Sequence, residues 1–417
     1  MRLPRLLLLA ALAIGCAGPA AAAPTLVRDV RLFDGDRVQE HRSVLFQDGV
    51  IVRVSDRRLN APGAEVVDGR GRTLLPGLID AHVHLLGDAE GALRQSARFG
   101  VTTVLDMFSG PKTLEAVRKL RADPQAGLAD ARVAGYGATA PGSLLSRMTG
   151  QPWPTVDGPA EAEAWVDARI AEGSDYIKVV YDENEGGPLS QDTLAAIVRA
   201  AHQRGRLVVV HVLAEAKARE AIAAGADGLA HLFIGDAAGA DFPDLAAQAH
   251  VFITPTLTIL HSLCGEPVEP GLLSDPRIAA RLRDQDKPLM AKAPTPSRNH
   301  LCAASRAVLA PLAARRVPIL AGTDTAPRPI GPYGVLGFGA TLHAELALLT
   351  DDGLTPLQAL TAATSAPADA FRLNDRGRIQ PGRRADLLLV EGDPTKDIRM
   401  SRNIVAVWVR GDRVPSP

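Results

Sequence analysis

Two textures alternate along the chain. Between residues 25 and 73 the apolar positions come in short runs, Ser43-Val-Leu-Phe46 and Val50-Ile-Val-Arg-Val54, parted by Asp48-Gly49. Short β-forming runs on either side of Asp-Gly predict a hairpin. The C-terminal stretch repeats this texture: Ala385-Asp-Leu-Leu-Leu-Val390, then Ile404-Val-Ala-Val-Trp-Val409, then Gly411-Asp412. Residues 24–73 and 374–417 are therefore expected to form one small β-sandwich domain assembled from both termini.

Residues 74–373 read differently. Short β-like runs recur at Val101-Thr-Thr-Val104, Tyr176-Ile-Lys-Val-Val180, Leu207-Val-Val-Val210, Gly228-Leu-Ala-His231, Phe252-Ile-Thr254 and Pro318-Ile-Leu-Ala321. Amphipathic segments such as 193–204 and 215–224 lie between them. Several close on a glycine in the position of a helix C′ cap, at Gly100, Gly173, Gly205 and Gly225. Repeated βα units over some 300 residues predict an α/β fold with a parallel sheet, and the length suits a closed (β/α)8 TIM barrel.

The first 23 residues have another purpose. Arg2 and Arg5 precede a nine-residue apolar run, 6–14, and small residues follow at 20–23, the pattern of a secretory signal peptide. Nine residues are too few for a bilayer span, which needs about 20, so no integral membrane span is expected. Ala13-Ile14-Gly15-Cys16 resembles a bacterial lipobox. The expectation is a periplasmic or secreted protein, with lipid anchoring at Cys16 as the alternative. In such a compartment Cys264 and Cys302 are either bridged or separate thiols. The 417 residues carry 46 Lys and Arg against 47 Asp and Glu, for a net charge of −1. That balance gives no basic footprint for nucleic acid and no polybasic patch for a membrane. A small-molecule substrate is the expected partner; a homo-oligomer stays open, since no interface is legible.

Polar residues that interrupt the strands carry the chemistry. Ile79-Asp80-Ala81-His82-Val83-His84 sets two imidazoles at i and i+2, on one face of an extended strand. His211 and His231 each end a β-like run, and Asp324 follows Ile319-Leu-Ala-Gly-Thr323. Lys178 falls mid-strand, where an unpaired ammonium should not be buried. In a barrel the strand C-termini face the active site, so these six residues from five strands would converge there. Imidazole nitrogen and carboxylate oxygen suit zinc-like divalent ions.

Taken together, these residues resemble the amidohydrolase superfamily over nearly the whole mature chain. Pro76-Gly77-Leu78-Ile79-Asp80-Ala81-His82-Val83-His84 is similar to the family's strand-1 metal motif, and Lys178, His211, His231 and Asp324 match its strand-4, strand-5, strand-6 and strand-8 positions. The nearest flavour is the branch of imidazolonepropionase-like proteins and metal-dependent Xaa-Pro or Xaa-Arg dipeptidases. The resemblance implies two divalent metal ions, zinc by preference. His82, His84 and Asp324 would serve one and His211 and His231 the other. Lys178, N6-carboxylated by carbon dioxide, would bridge them. It also implies a bridging hydroxide as nucleophile and Asp324 as proton shuttle, in hydrolysis of an amide or peptide-type C–N bond.

Specificity is less legible. The strand-3 loop, 135–143, lacks the His that many relatives carry after paired glycines, which leaves their substrate-carboxylate contact without a counterpart. Tyr136, Tyr181 and Arg147 are the candidate substrate contacts. The stretch 260–309, with His261 and His300, is read as a lid or a surface helix pair. His343 and Glu345, at i and i+2, diverge on a helix and are read as exposed or packed rather than ligating. Competing readings are a mononuclear deaminase or cyclic-imide hydrolase, whose representatives typically lack the strand-4 lysine, a lactonase, a phosphotriesterase, and a binding protein on a degenerate barrel.

Overall fold

The computed structural model describes residues 23–148, 152–182, 189–235, 238–265, 272–290, 303–327 and 337–416. The leader-like segment through residue 22, with Cys16, lies outside these residues, as do Cys302 and His300. Cys264 is buried and disulfide-bonded.

The strands in chain order are β1 (Thr25–Phe33), β2 (Val38–Gln47), β3 (Val50–Ser55), β4 (Glu65–Asp68), β5 (Arg72–Pro76), β6 (Leu78–Val83), β7 (Val101–Asp106), β8 (Asp130–Val133), β9 (Ile177–Val180), β10 (Val208–His211), β11 (Gly228–Ala230), β12 (Phe252–Thr254), β13 (Leu387–Glu391), β14 (Ile404–Val409) and β15 (Asp412–Arg413). Both chain ends enter one eight-stranded sheet, ordered β15-β14-β13-β5-β1-β2-β3 with β4 beside β1. The hairpin expected at Asp48-Gly49 joins β2 to β3, and both turn residues have positive φ, 50° and 79°, as a two-residue primed turn requires. Four strand spacings separate β2 from β14, about 19 Å on a flat sheet at roughly 4.8 Å each. Yet Phe46 and Trp408 stand edge to face at 5.5 Å. The sheet therefore curls over its own core, in which Val27, Leu32, Val44, Leu74, Leu387 and Leu389 are fully buried.

The middle of the chain closes a ring. β6-β7-β8 form one parallel sheet and β9-β10-β11-β12 another. An isolated parallel bridge between Ala138 and Val179 joins the two sheets. On the far side residues 319–325 act as the eighth strand, bridging Ile319 to Ile253 and Thr325 to Val83. These residues hold the gap through single hydrogen bonds, such as Leu320 N–H to Ile253 O (2.9 Å) and Ala81 N–H to Ala321 O (2.8 Å), rather than through a regular ladder. Gly322 permits the approach: a Cβ there would lie 2.8 Å from Cβ of His82 and 2.5 Å from Cγ2 of Thr254, too close for any side chain. The four anticipated glycine caps, at 100, 173, 205 and 225, all have positive φ. Strands β6 to β12 are short and almost wholly buried, as parallel strands covered on both faces must be.

Within the stretch 260–309 the described residues hold the C-terminal half of the helix Leu257–Leu263, the short helices Pro276–Ala279 and Lys287–Met290, and the start of Ala303–Ala314. Among the described residues no helix is long and apolar enough to cross a membrane.

Candidate metal centre

Strand periodicity sends Asp80, His82 and His84 to one face, and that face is the inside of the ring. His82 and His84 are 1% and 3% exposed. Across the closure, Nε2 of His82 lies 3.1 Å and Nε2 of His84 2.8 Å from Oδ1 of Asp324. These three side chains place one potential ligand atom each within 4.8 Å of one another. Next to them the imidazoles of His82 and His231 are 4.9 Å apart, and those of His231 and His211 4.5 Å. All four histidines thus form one continuous cluster at the C-terminal ends of the strands. Lys178, 1% exposed, reaches the same place from β9, within electrostatic range of Asp324, His82, His211 and His231. The structure brings together all six residues singled out from the sequence.

The electrostatics suit metal ligation. Burial holds His82 and His211 down to about 3 and His231 well below the ordinary imidazole range, with the other imidazoles and Lys178 adding to the effect. All three are therefore neutral at pH 7. Burial works to raise Asp324, but His82 and His84 beside it keep its carboxyl well below the usual carboxylate range. Burial also draws Lys178 down to about 7 against the pull of Asp324. Four buried atoms here have no hydrogen-bond partner: Nδ1 of His82, Nδ1 of His84, Nζ of Lys178 and Nε2 of His211. Orphaned buried polar atoms cost about 1–3 kcal/mol each, so such a concentration calls for a ligand. Neutral imidazoles and a carboxylate are the donors that a divalent ion of the zinc class takes.

The backbone is bent to aim two of these groups. His231 and Asp324 hold φ of 74° and 62°, a conformation side chains rarely adopt and one that gathers at functional sites. Thr256, also left-handed at 50°, places its hydroxyl 2.6 Å from Nδ1 of His231 while donating to Pro255 O at 2.8 Å.

Three residues have supporting roles that the sequence reading did not assign. Asp80 accepts from His82 N–H (3.2 Å), Thr323 N–H (3.1 Å) and Thr323 Oγ1 (2.8 Å), tying β6 to the segment that carries Asp324. Its signal was its place in the same alternation as the two histidines. Thr256 gave no signal. Glu345, completely buried in the helix Ala340–Asp351, accepts Leu257 N–H (2.9 Å) and Thr258 N–H (2.8 Å) and so holds the start of the helix that follows Thr256. That helix is buried all round over residues 340–349, and its lack of any polar face was the usable signal. Of the two readings offered for His343, packing holds: it is 1% exposed, pinned between Ser401 Oγ (2.8 Å) and Phe99 O (2.9 Å).

The proposed substrate contacts fare differently. The Tyr181 hydroxyl is bound to Glu220, and Lys217 lies over its ring at 4.8 Å. Arg147 is exposed and turns back to Ser143 O at 3.3 Å. Tyr136 packs on Trp153 and Arg169. None of the three makes a described contact with the metal-ligand cluster.

Comparison with known proteins places this geometry. A model of the amidohydrolase family matches residues 73–414. An imidazolonepropionase of Pyrobaculum arsenaticum is 46% identical over 74 residues, which is 18% of this chain and 17% of that protein. One from Anaeromyxobacter dehalogenans is 28% identical over 381 residues, 80% of this chain and 79% of its own. Among solved structures, a Xaa-Pro dipeptidase with bound methionine in its active site shares the fold with a TM-score of 0.73 at 22% identity, covering 94% of this chain and 99% of that one.

Proposed function

The chain belongs to the amidohydrolase family, and from that premise we propose that it is a metal-dependent hydrolase acting on an amide-type carbon–nitrogen bond of a small molecule. The observation that carries this reading is the buried cluster itself, with four histidines, Asp324 and Lys178 converging and four of their polar atoms unpartnered. In this reading His82, His84 and Asp324 would hold one divalent ion, zinc by preference, and His211 and His231 a second. Lys178, drawn down to about 7 by burial and with its Nζ unpartnered, is the amine that carbon dioxide would carboxylate, which would make it an anionic group beside both ions. Bound there, the ions supply Lewis acidity and lower the pKa of water toward neutrality.

The remaining work falls to the chain. Asp324 stands between the His82 and His84 imidazoles and is part-exposed to the cleft, with a side-chain exposure of 17%. Held ionised at pH 7, it is placed to accept a proton from the attacking water and return it to the leaving amine. Thr256 keeps His231 in one tautomer, and Asp80 holds the segment bearing Asp324 against β6. The leader-like segment supports action outside the cytoplasm, in the periplasm or after secretion, with an anchor at Cys16 as the variant form.

Likeness to imidazolonepropionases over four-fifths of the chain favours a second reading, hydrolysis of a cyclic amide by a single ion. Metal content separates the two. Protein purified without chelators and assayed by plasma mass spectrometry is expected to hold two equivalents of zinc or a similar ion and to cleave members of a dipeptide and N-acyl amino acid panel. One equivalent would favour the mononuclear reading and return Lys178 to a structural role. None, even after reconstitution with metal and bicarbonate, would overturn the hydrolase reading.

A further inference from the structure

Beside the metal centre the chain builds a small apolar cluster distinct from the barrel core. Leu145, Trp153 and Val180 are buried, and Phe108 and Tyr136 are half-buried against them. Phe108 stands two residues beyond the end of β7, at the C-terminal rim of the ring. Its ring lies 3.9 Å from that of His84 at a tilt of 36°. Trp153 meets Phe108 edge-on at 5.9 Å and 86°, with Tyr136 on it at 4.7 Å. The Trp153 indole cannot swing, because its N–H donates to Gly137 O at 2.9 Å. Gly137 closes the cluster on the centre: a Cβ there would sit 3.5 Å from Leu145 Cδ2, 3.6 Å from Lys178 Cγ and 3.8 Å from Phe108 Cβ. One apolar wall therefore touches His84, and Gly137, which leaves room for no more than a small side chain, lies between it and Lys178.

Part of this wall stays uncovered beside His84. Phe108 rests on a histidine whose side chain is 4% exposed and against a tryptophan that is 9% exposed, yet remains only half-buried itself. Its ring is thus a partly uncovered apolar surface in direct contact with the cluster. Among the described residues the wall is poor in charge. Its indole N–H is already used, and Arg169, the cation behind Tyr136 at 5.4 Å, is committed to Glu172 through hydrogen bonds of 2.8 and 2.5 Å. A carboxylate pressed against this surface would lose its water without gaining a partner, at a cost of several kcal/mol. A flat apolar group would instead bury area and gain ring–ring contact.

We propose that the Phe108–Trp153 wall is the subsite for the group attached to the scissile carbonyl, and that this group is apolar, planar and uncharged, a phenyl ring or its like, rather than one bearing a carboxylate. The inference rests on the hydrolase reading and narrows its substrate class to amides with an aromatic or flat apolar acyl part.

Hydroxamates test it without a known substrate, since they chelate active-site metals whatever their tail. The metal-loaded protein is titrated calorimetrically with acetohydroxamate, benzohydroxamate and succinate monohydroxamate. The expected order has benzohydroxamate tightest, by about tenfold over acetohydroxamate, and the carboxylate-bearing compound weakest. Phe108→Ala should erase the benzo advantage while leaving acetohydroxamate affinity and metal content within about threefold of wild type, and Phe108→Leu should fall between. A flat series, tightest binding of the carboxylate compound, or an equal loss on all three in Phe108→Ala with metal retained overturns the subsite alone. Failure of even acetohydroxamate to bind overturns the metal-centre reading, and the subsite with it. If Phe108→Ala does not fold, the wild-type order and Phe108→Leu decide the matter.

Discussion

The hydroxyl of Thr256 is committed to the imidazole of His231. Its single proton goes to Pro255 O at 2.8 Å, so at 2.6 Å from Nδ1 it can only accept. His231 must then carry its proton on Nδ1 and present Nε2 as the free donor. Thr256→Val keeps the shape and removes the acceptor. Outer partners of this kind are worth 10–100-fold in metal affinity, so metal retention in competition with a chelator should fall by about that factor, while Thr256→Ser stays near wild type. Equal retention in the valine variant would end this role for Thr256.

Glu345 acts one step further out. Its two oxygens take the first N–H groups of the helix Leu257–Leu263, which starts directly after Thr256. Glu345→Gln turns an amide NH2 toward one of those N–H groups and should cost roughly 1–3 kcal/mol of stability, read as a lower urea midpoint. The pH dependence carries a sign. Burial pushes Glu345 up to about 8 from an ordinary 4.5, against the two backbone hydrogen bonds. Between those values the folded protein holds a proton that the unfolded chain has released, so this contribution is complete below about 4.5 and is lost as pH rises toward 8. The wild-type midpoint should therefore decline more steeply than that of Glu345→Gln between pH 5 and 8. Parallel slopes would count against a buried titrating Glu345.

The parts of this centre that were legible are those set by local geometry. Two-residue alternation is enough to put His82 and His84 on one face, and the apolar run around Lys178 is enough to bury it. His211, His231 and Asp324 are legible because each ends such a run. What Glu345 does depends on a helix N-terminus 88 residues away in sequence, a relation no local pattern carries. Read locally, i and i+2 on a helix do diverge, and they diverge here, His343 to Ser401 and Glu345 to Leu257. For Tyr136 and Tyr181 the sequence leaves two readings, substrate contact or loop packing, because no local pattern says what surrounds a loop aromatic. Neighbours decide that instead: Glu220 and Lys217 take Tyr181, Arg169 and Trp153 take Tyr136, and Phe108 keeps part of its ring uncovered.

Lys178 offers a test of the bridging role. Lys178→Ala removes the one amine in the cluster and, if carboxylated Lys178 is shared by both ions, should lose about one equivalent of metal along with most activity. Short carboxylic acids such as acetate or propionate fit the space left behind and should restore part of both. Stripping the wild-type protein with a chelator and reconstituting it should likewise succeed better with bicarbonate than without. Full metal occupancy and rate in Lys178→Ala would dismiss the carbamate.

Asp324 is the residue on which ligation and proton transfer meet, and Asp324→Asn separates them. The amide keeps an oxygen where Oδ1 now faces the two imidazoles at 3.1 and 2.8 Å, and its size leaves the strained backbone at φ 62° undisturbed. What it loses is the capacity to take a proton. General acid–base transfer contributes about 10²–10⁴-fold, so kcat should fall by that factor while metal content stays within one equivalent of wild type and KM changes little. Asp324→Ala removes the ligand oxygen as well, and should lose metal besides turnover. A near-normal kcat in the asparagine variant would leave Asp324 a ligand only and require the proton to travel through another group.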